Sequence, residues 1–211
     1  MSVENKEGSS FEVKAYEPED FAYLLGMYDA FTPKAMFQGM PPANSDVRRE
    51  WILKLVRNGS NFLAWQEGTV IGHVVILPDF GLCDAEYLIF VSQTCRGKGV
   101  GKELTRAAIR KAEELGIAIV WLTVDSYNFR AIKLYKKSGF EMKQECSSAS
   151  ERVMVLKVQN SKCKVQSCIS SSISSICAFN FALCTLHFAL KSSPAFLLSV
   201  PEHRYWARPD P

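Results

Sequence analysis

Gln93-Thr94-Cys95-Arg96-Gly97-Lys98-Gly99-Val100-Gly101-Lys102 places three glycines within five residues, at the point where one kind of periodicity gives way to another. Upstream, residues 85–92 are rich in aromatic and β-branched side chains and read as a strand. Downstream, Val100, Leu104, Ala107, Ala108, Ala112 and Leu115 share one helical face, and Gly116 ends it. Glycine allows close backbone approach and unusual dihedrals, while a helix N-terminus offers unpaired N–H groups and a positive partial charge. Arg96, Lys98 and Lys102 add cations. A strand-to-helix turn of this composition asks for a phosphate or diphosphate, against the plainer reading of a tight turn with no ligand. A Walker loop requires four residues between its first glycine and Gly-Lys, followed by Ser or Thr. Here three residues separate Gly97 from Gly101-Lys102, and Glu103 follows. The dinucleotide fingerprint Gly-x-Gly-x-x-Gly also fails, because the third glycine arrives one residue early.

Working outward, residues 11–16 alternate as a first strand, and Pro18 with Glu19 and Asp20 opens a helix. Phe21, Leu24, Leu25 and Tyr28 form the stripe of that helix, which reaches about Phe31. A proline- and glycine-bearing loop over 32–44 precedes a second helix from Asn44 or Ser45 to Gly59, with Val47, Trp51 and Leu55 expected on its buried side. Residues 61–66 and 69–77 read as strands joined by a Glu67-Gly68 hairpin turn. The nearly continuous apolar run 117–124 marks a strand covered on both faces. Asn128 caps a short helix carrying Ala131, Leu134 and Tyr135, closed by Gly139, and residues 140–143 and 152–158 form a terminal strand pair. The order β-α-α-β-β-β-α-β-α-β-β predicts an α/β layer fold with a mixed sheet flanked by helices.

A chain of 211 residues holds one such domain plus an appendage. The division expected is a flexible start over 1–10, one domain over 11–158, and a serine- and cysteine-rich extension over 159–211 that is poorly ordered. The net charge of +3 is too small to imply a nucleic-acid partner. It resides in the extension, where Lys162, Lys164, Lys191, Arg204 and Arg208 face only Glu202 and Asp210. The polar start lacks a signal-peptide core, and seven cysteines without a pairing pattern suit a reducing, cytoplasmic setting. Cys163, Cys168, Cys177, Cys184 and His187 match no zinc template, so no metal is expected. Residues 176–190 are apolar but fall short of the roughly 20 needed to span a bilayer, so a membrane partner is disfavoured.

Arg96-Gly97-Lys98-Gly99-Val100-Gly101 resembles the Arg/Gln-x-x-Gly-x-Gly/Ala loop of the GNAT acetyltransferase superfamily. The segment Asn128-Phe129-Arg130-Ala131-Ile132-Lys133-Leu134-Tyr135-Lys136-Lys137-Ser138-Gly139-Phe140 is similar to its Asn-x-x-Ala-x-x-Leu-Tyr-x-x-x-Gly-Phe block, and with the element order the resemblance covers about 11–158. Gln38-Gly39-Met40-Pro41-Pro42 is more distantly similar to a loop of bacterial protein-lysine acetyltransferases. The resemblance implies an N-acetyltransferase using acetyl-CoA as cosubstrate, bound in a splay between the strands 87–92 and 119–124. The backbone of Phe90, Val91 and Ser92 would pair with pantetheine, the turn Arg96, Gly97, Lys98, Gly99, Val100, Gly101 and Lys102 would hold the diphosphate, and Asn128 would touch pantetheine besides capping its helix. Glu86 falls where family members place a general base, Tyr135 where they place a general acid, and the amide of Val91 would stabilise the oxyanion. The acceptor would be a protein or small-molecule amine, and the protein a monomer or homodimer. A non-catalytic acyl-CoA-binding regulatory domain is the alternative.

The chemistry explains why a base is wanted. A lysine of pKa about 10.4 is neutral once in roughly 2,500 molecules at pH 7, so presenting the free amine costs about 4.6 kcal/mol. His73, following Gly72 in a strand with no carboxylate placed beside it, reads as structural, and Asp125 receives no role.

Overall fold

The computed structural model describes residues 2–4, 10–32 and 40–158. The extension over 159–211 therefore lies outside the described residues. Within the start expected to be flexible, Ser2–Glu4 (β1) pairs antiparallel with Ser10–Ala15 (β2). Pro18 opens a single tight turn in which the Glu17 amide donates to Asp20 Oδ2, and this leads into Phe21–Ala30 (α1). The helix Ser45–Asn58 (α2) starts where Asn44 Oδ1 accepts the amides of Asp46 and Val47, at 2.9 and 3.0 Å.

Ser60–Gln66 (β3) and Thr69–Asp79 (β4) form the expected hairpin. Glu67 and Gly68 both take positive φ, 50° and 71°, the two left-handed centres that a two-residue turn matched to strand twist requires. Asp84–Val91 (β5), Val100–Glu114 (α3), Ile119–Asp125 (β6), Phe129–Lys137 (α4), Glu141–Lys143 (β7) and Glu151–Lys157 (β8) follow. The strands form one sheet in the order β1-β2-β3-β4-β5-β6-β8-β7, antiparallel throughout except for β5 and β6. The mixed α/β sheet expected from the sequence is thus present, and its one parallel pair flanks the glycine turn.

Side-chain alternation assigns the faces. Ala85 and Tyr87 of β5 pack with Val100, Leu104 and Ala108 of α3 and with Tyr135 of α4. Leu88 and Phe90 turn the other way, towards Leu24 and Tyr28 of α1 and Ile52 of α2. Gly72 of β4 lets α3 approach: a β-carbon there would stand 2.8 Å from Leu104 Cδ1 and 3.1 Å from Val100 Cγ1.

The buried face of α2 differs from the sequence expectation at its first turn. Val47 of α2 is 51% exposed, whereas Arg48 is 5% exposed. Arg48 Nε and Nη2 reach Asp29 Oδ1 at 2.9 and 2.5 Å, and Nη1 donates to the carbonyls of Pro42 and Ala43 at 2.8 and 2.9 Å. Hydropathy ranks an arginine outside; satisfied hydrogen bonding places it inside. Cysteine usage also departs from expectation, because Cys83 and Cys146 are disulfide-bonded while Cys95 is free and buried. No helix among the described residues is long and apolar enough to cross a membrane.

Candidate active site

The parallel pair β5–β6 stays in register for only three residues, Asp84 with Ile119, Ala85 with Val120 and Glu86 with Trp121. Beyond that point β5 continues paired to β4 alone, and β6 to β8 alone. The strands splay, leaving Tyr87 through Val91 without a strand partner on the β6 side, where Val91 O accepts from Arg96 Nε. The Ser92 amide donates to Ile71 O at 2.9 Å, and its carbonyl accepts from Cys95 N at 2.9 Å. With an unbroken β4–β5 register, hydrogen-bonded and non-bonded pairs alternate, so Phe90 also spends its backbone on β4. The backbone groups facing the splay are those of Tyr87, Ile89 and Val91. Of the three strand residues expected there, Val91 has this orientation. Phe90 and Ser92 do not, and Ile89 takes the place that residue spacing alone could not assign.

The turn that follows begins with a tight loop at Gln93–Cys95, and Arg96 leaves it extended. Gly97 and Gly99 both have positive φ, 85° and 92°, which an L side chain rarely adopts. The first amides of α3 with backbone partners are Lys102 and Glu103, both bonded to Gly99 O. The amides of Gly97, Gly99, Val100 and Gly101 carry no hydrogen bond among the described residues. Gly101 sits close over the sheet, since a β-carbon there would meet Leu134 Cδ2 at 3.1 Å and Ile89 and Val91 at 3.9 Å. Arg96 is exposed; its Nε donates to Val91 O at 3.1 Å and its guanidinium lies 5.6 Å from the Phe31 ring centre. Gln93 Nε2 donates to the Thr32 carbonyl, so two side chains tie the turn to the end of α1. Lys98 is half-buried and Lys102 exposed.

Glu86 is the last residue of β5 in register with β6, and by alternation its side chain shares the α1/α2 face with Leu88 and Phe90. It keeps some exposure, yet burial around the carboxyl raises its pKa to about 7, with repulsion from Asp84 adding to the rise. Tyr135 stands on the opposite face, 7% exposed, with its ring centre 5.9 Å from that of Tyr87 and 5.8 Å from that of Phe140. Burial pushes its phenol well above the ordinary range. The two residues therefore flank β5 from opposite sides. Tyr87 Oη is 2.8 Å from Thr105 Oγ1, which donates to Gly101 O at 2.6 Å, joining the splay to the first turn of α3. Asn128 caps α4, its Oδ1 accepting the Ala131 amide at 3.2 Å and its Nδ2 left available. Near it, Ser126 Oγ is a buried hydroxyl without a hydrogen-bond partner among the described residues, one residue past β6.

His73 is fully buried and held on both nitrogens, by Tyr28 Oη at 2.7 Å and Asn61 Oδ1 at 2.9 Å. The Asn61 amide donates to Leu55 O and Gly59 O, which orients its oxygen toward His73. His73 is structural. A groove of about 580 Å³ between β3 and α3, lined by Phe62, Ala107 and Arg110, contains none of the expected site residues. Among the described residues no cluster of His, Cys, Asp and Glu is arranged to hold a metal.

The splay fits the extended arm of coenzyme A, because its open strand edge can pair with amides. The free amides of the turn fit its diphosphate. The family model described as the acetyltransferase (GNAT) family matches residues 24–140. YwnH of Bacillus subtilis, named for phosphinothricin acetylation, is 28% identical over 130 residues, 59% of this chain and 80% of its own. The spermine/spermidine N(1)-acetyltransferase of the same organism is 34% identical over 67 residues, 31% of this chain and 44% of its own. The GNAT domain of S. lividans PAT shares the fold with a TM-score of 0.62 at 17% identity, over 74% of this chain and 96% of that one. The yncA protein of Salmonella typhimurium, solved with acetyl-CoA, gives 0.58 at 17% identity, over 72% and 96%. A family match across more than half the chain, on a sheet splayed in this way, establishes that the protein belongs to the GNAT acetyltransferase family of enzymes.

Proposed function

We propose that the protein moves an acetyl group from acetyl-CoA to a primary amine, on a protein lysine or N-terminus or on a small molecule, by direct attack. The observation that carries this reading is the β5–β6 splay running straight into a glycine turn whose Gly97, Gly99, Val100 and Gly101 amides carry no hydrogen bond among the described residues. Bound acetyl-CoA supplies a thioester at the inner end of that splay.

The chain's own groups then have distinct tasks. Backbone groups of Ile89 and the amide of Val91 pair with the arm, while Arg96 keeps Val91 O through its Nε and borders the turn. Amides of Gly97, Gly99, Val100 and Gly101 hold the diphosphate, with Lys98 and Lys102 contributing charge. Asn128 Nδ2 reaches pantetheine while Oδ1 continues to cap α4. Glu86, with a pKa about 7, is close to half ionised at neutral pH and accepts a proton from the acceptor's ammonium, directly or through water, freeing the amine lone pair for attack. Open-edge amides at the inner end of the splay face charge developing on the acyl oxygen, whereas the amide of Val91, beside the turn, pairs with the arm. Tyr135 stays protonated across the physiological range, since burial raises its pKa. So weak an acid serves the departing sulfur mainly as a hydrogen-bond donor.

Thiol release from acetyl-CoA tests the reading against a panel of a lysine peptide, a free N-terminal peptide and spermidine. Turnover with at least one amine is expected. Tight coenzyme A binding without turnover on any of them favours the regulatory alternative.

A further inference from the structure

Arg130 stands at the glycine turn without belonging to its motif. It is the second residue of α4, exposed, and makes no ion pair or hydrogen bond among the described residues. Its guanidinium nevertheless reaches across: a β-carbon built on Gly97 would lie 3.4 Å from Arg130 Nη2. That position is where a side chain would project from Gly97, and it diverges from the direction of the amide. The guanidinium thus flanks the amide-lined mouth.

Neighbouring arginines are committed elsewhere. Arg96 is held by Val91 O and the Phe31 ring, and Arg106 by Glu103 at 2.5 Å. The sequence of α4, with Arg130, Lys133, Lys136 and Lys137 and no acidic residue, makes this flank positive. Coenzyme A carries a third phosphate on the 3′-oxygen of its ribose, beyond the diphosphate. If the turn amides hold the diphosphate, as in the function proposed above, the nucleoside has already left the splay and needs a donor outside it.

We propose that Arg130 binds this 3′-phosphate and so selects coenzyme A thioesters over those of carriers that lack it. The planar fork of a guanidinium suits two oxygens of one phosphate, which a lysine meets only as a point charge. This inference rests on the proposed placement of the diphosphate, and the experiment separates the two.

Calorimetry on the full chain, at fixed ionic strength, compares coenzyme A with 3′-dephospho-coenzyme A. The wild type is expected to prefer coenzyme A by about tenfold, the scale of one exposed charge-assisted contact. Arg130→Gln should abolish that preference while binding the dephospho form within about twofold of wild type. Arg130→Lys should recover part of it, and Lys133→Gln, one turn further along α4, should keep it. Equal weakening of both ligands by Arg130→Gln would overturn the proposal, since Arg130 would then serve the diphosphate or the fold. A preference that survives in Arg130→Gln, or is missing from the wild type, overturns it too. Failure of the wild type to bind either ligand defeats the diphosphate placement itself. Because Arg130 is exposed and makes no bonds among the described residues, the variant should melt with the wild type, and a lowered Tm would mark a structural role instead.

Discussion

The carboxyl of Glu86 lies under packed side chains with Asp84 beside it on the same face of β5, and that surrounding raises its pKa to about 7. As the proposed base, Glu86 must be ionised, so kcat/KM should rise about tenfold per pH unit below 7 and level off above it. Glu86→Gln should lower kcat by about 10² to 10³ and flatten that limb, measured by thiol release across pH 5.5 to about 8.5. An unchanged profile in the variant would remove Glu86 from the chemistry. His73 behaves in the opposite sense. Burial lowers its pKa to about 3, while an unfolded histidine titrates near 6.5. The unfolded chain therefore takes up a proton that the fold refuses. The stability present above pH 6.5 is lost as pH falls toward 3, at up to about 1.4 kcal/mol per unit. His73→Leu should lose that acid dependence. It should also cost about 2–4 kcal/mol at pH 7, because Tyr28 Oη and Asn61 Oδ1 are left buried and unpaired. Chemical denaturation at several pH values reads both effects.

Among the elements, α3 depends on two glycines for different reasons. Gly99 has φ 92° with open space where a β-carbon would point, so Gly99→Ala meets backbone strain alone. It should cost about 1–2 kcal/mol or turn the amides away, raising KM for acetyl-CoA with little change in kcat. Gly72 has ordinary backbone but a β-carbon there would press on Leu104 and Val100, so Gly72→Val should lower Tm by displacing α3 from β4. Initial-rate kinetics and thermal melts distinguish the two. These elements were largely legible in the sequence: the stripe Val100, Leu104, Ala107, Ala108 and Ala112 is buried as its period requires, and Asn44 and Asn128 cap the helices they precede. The failures have physical causes. Arg48 is inside because Asp29 and two carbonyls satisfy it, a tertiary arrangement that helical period does not encode. Phe90 and Ser92 face β4 because register decides which backbone groups point outward, and register is set by the pairing strand. Arg130 and Phe31 come to the turn from distant segments, and neither carries a local signal of it.

At the scale of the whole molecule, one parallel pair in an otherwise antiparallel sheet generates the site. Helix α3 must cross over between β5 and β6, which brings its N-terminus to the end of β5. The two strands part there because each keeps its antiparallel partner, β4 or β8, in full register. Two of the solved structures that share this fold cover 69% and 74% of the chain and 99% and 96% of their own length. The account depends on the unspent amides of that turn receiving the diphosphate. Titration calorimetry of coenzyme A into the folded protein tests this most directly. Binding with one site per chain is predicted, weakened about tenfold or more in Gly99→Ala. A folded protein that gives no coenzyme A association, or binds it equally well after Gly99→Ala, would contradict the account.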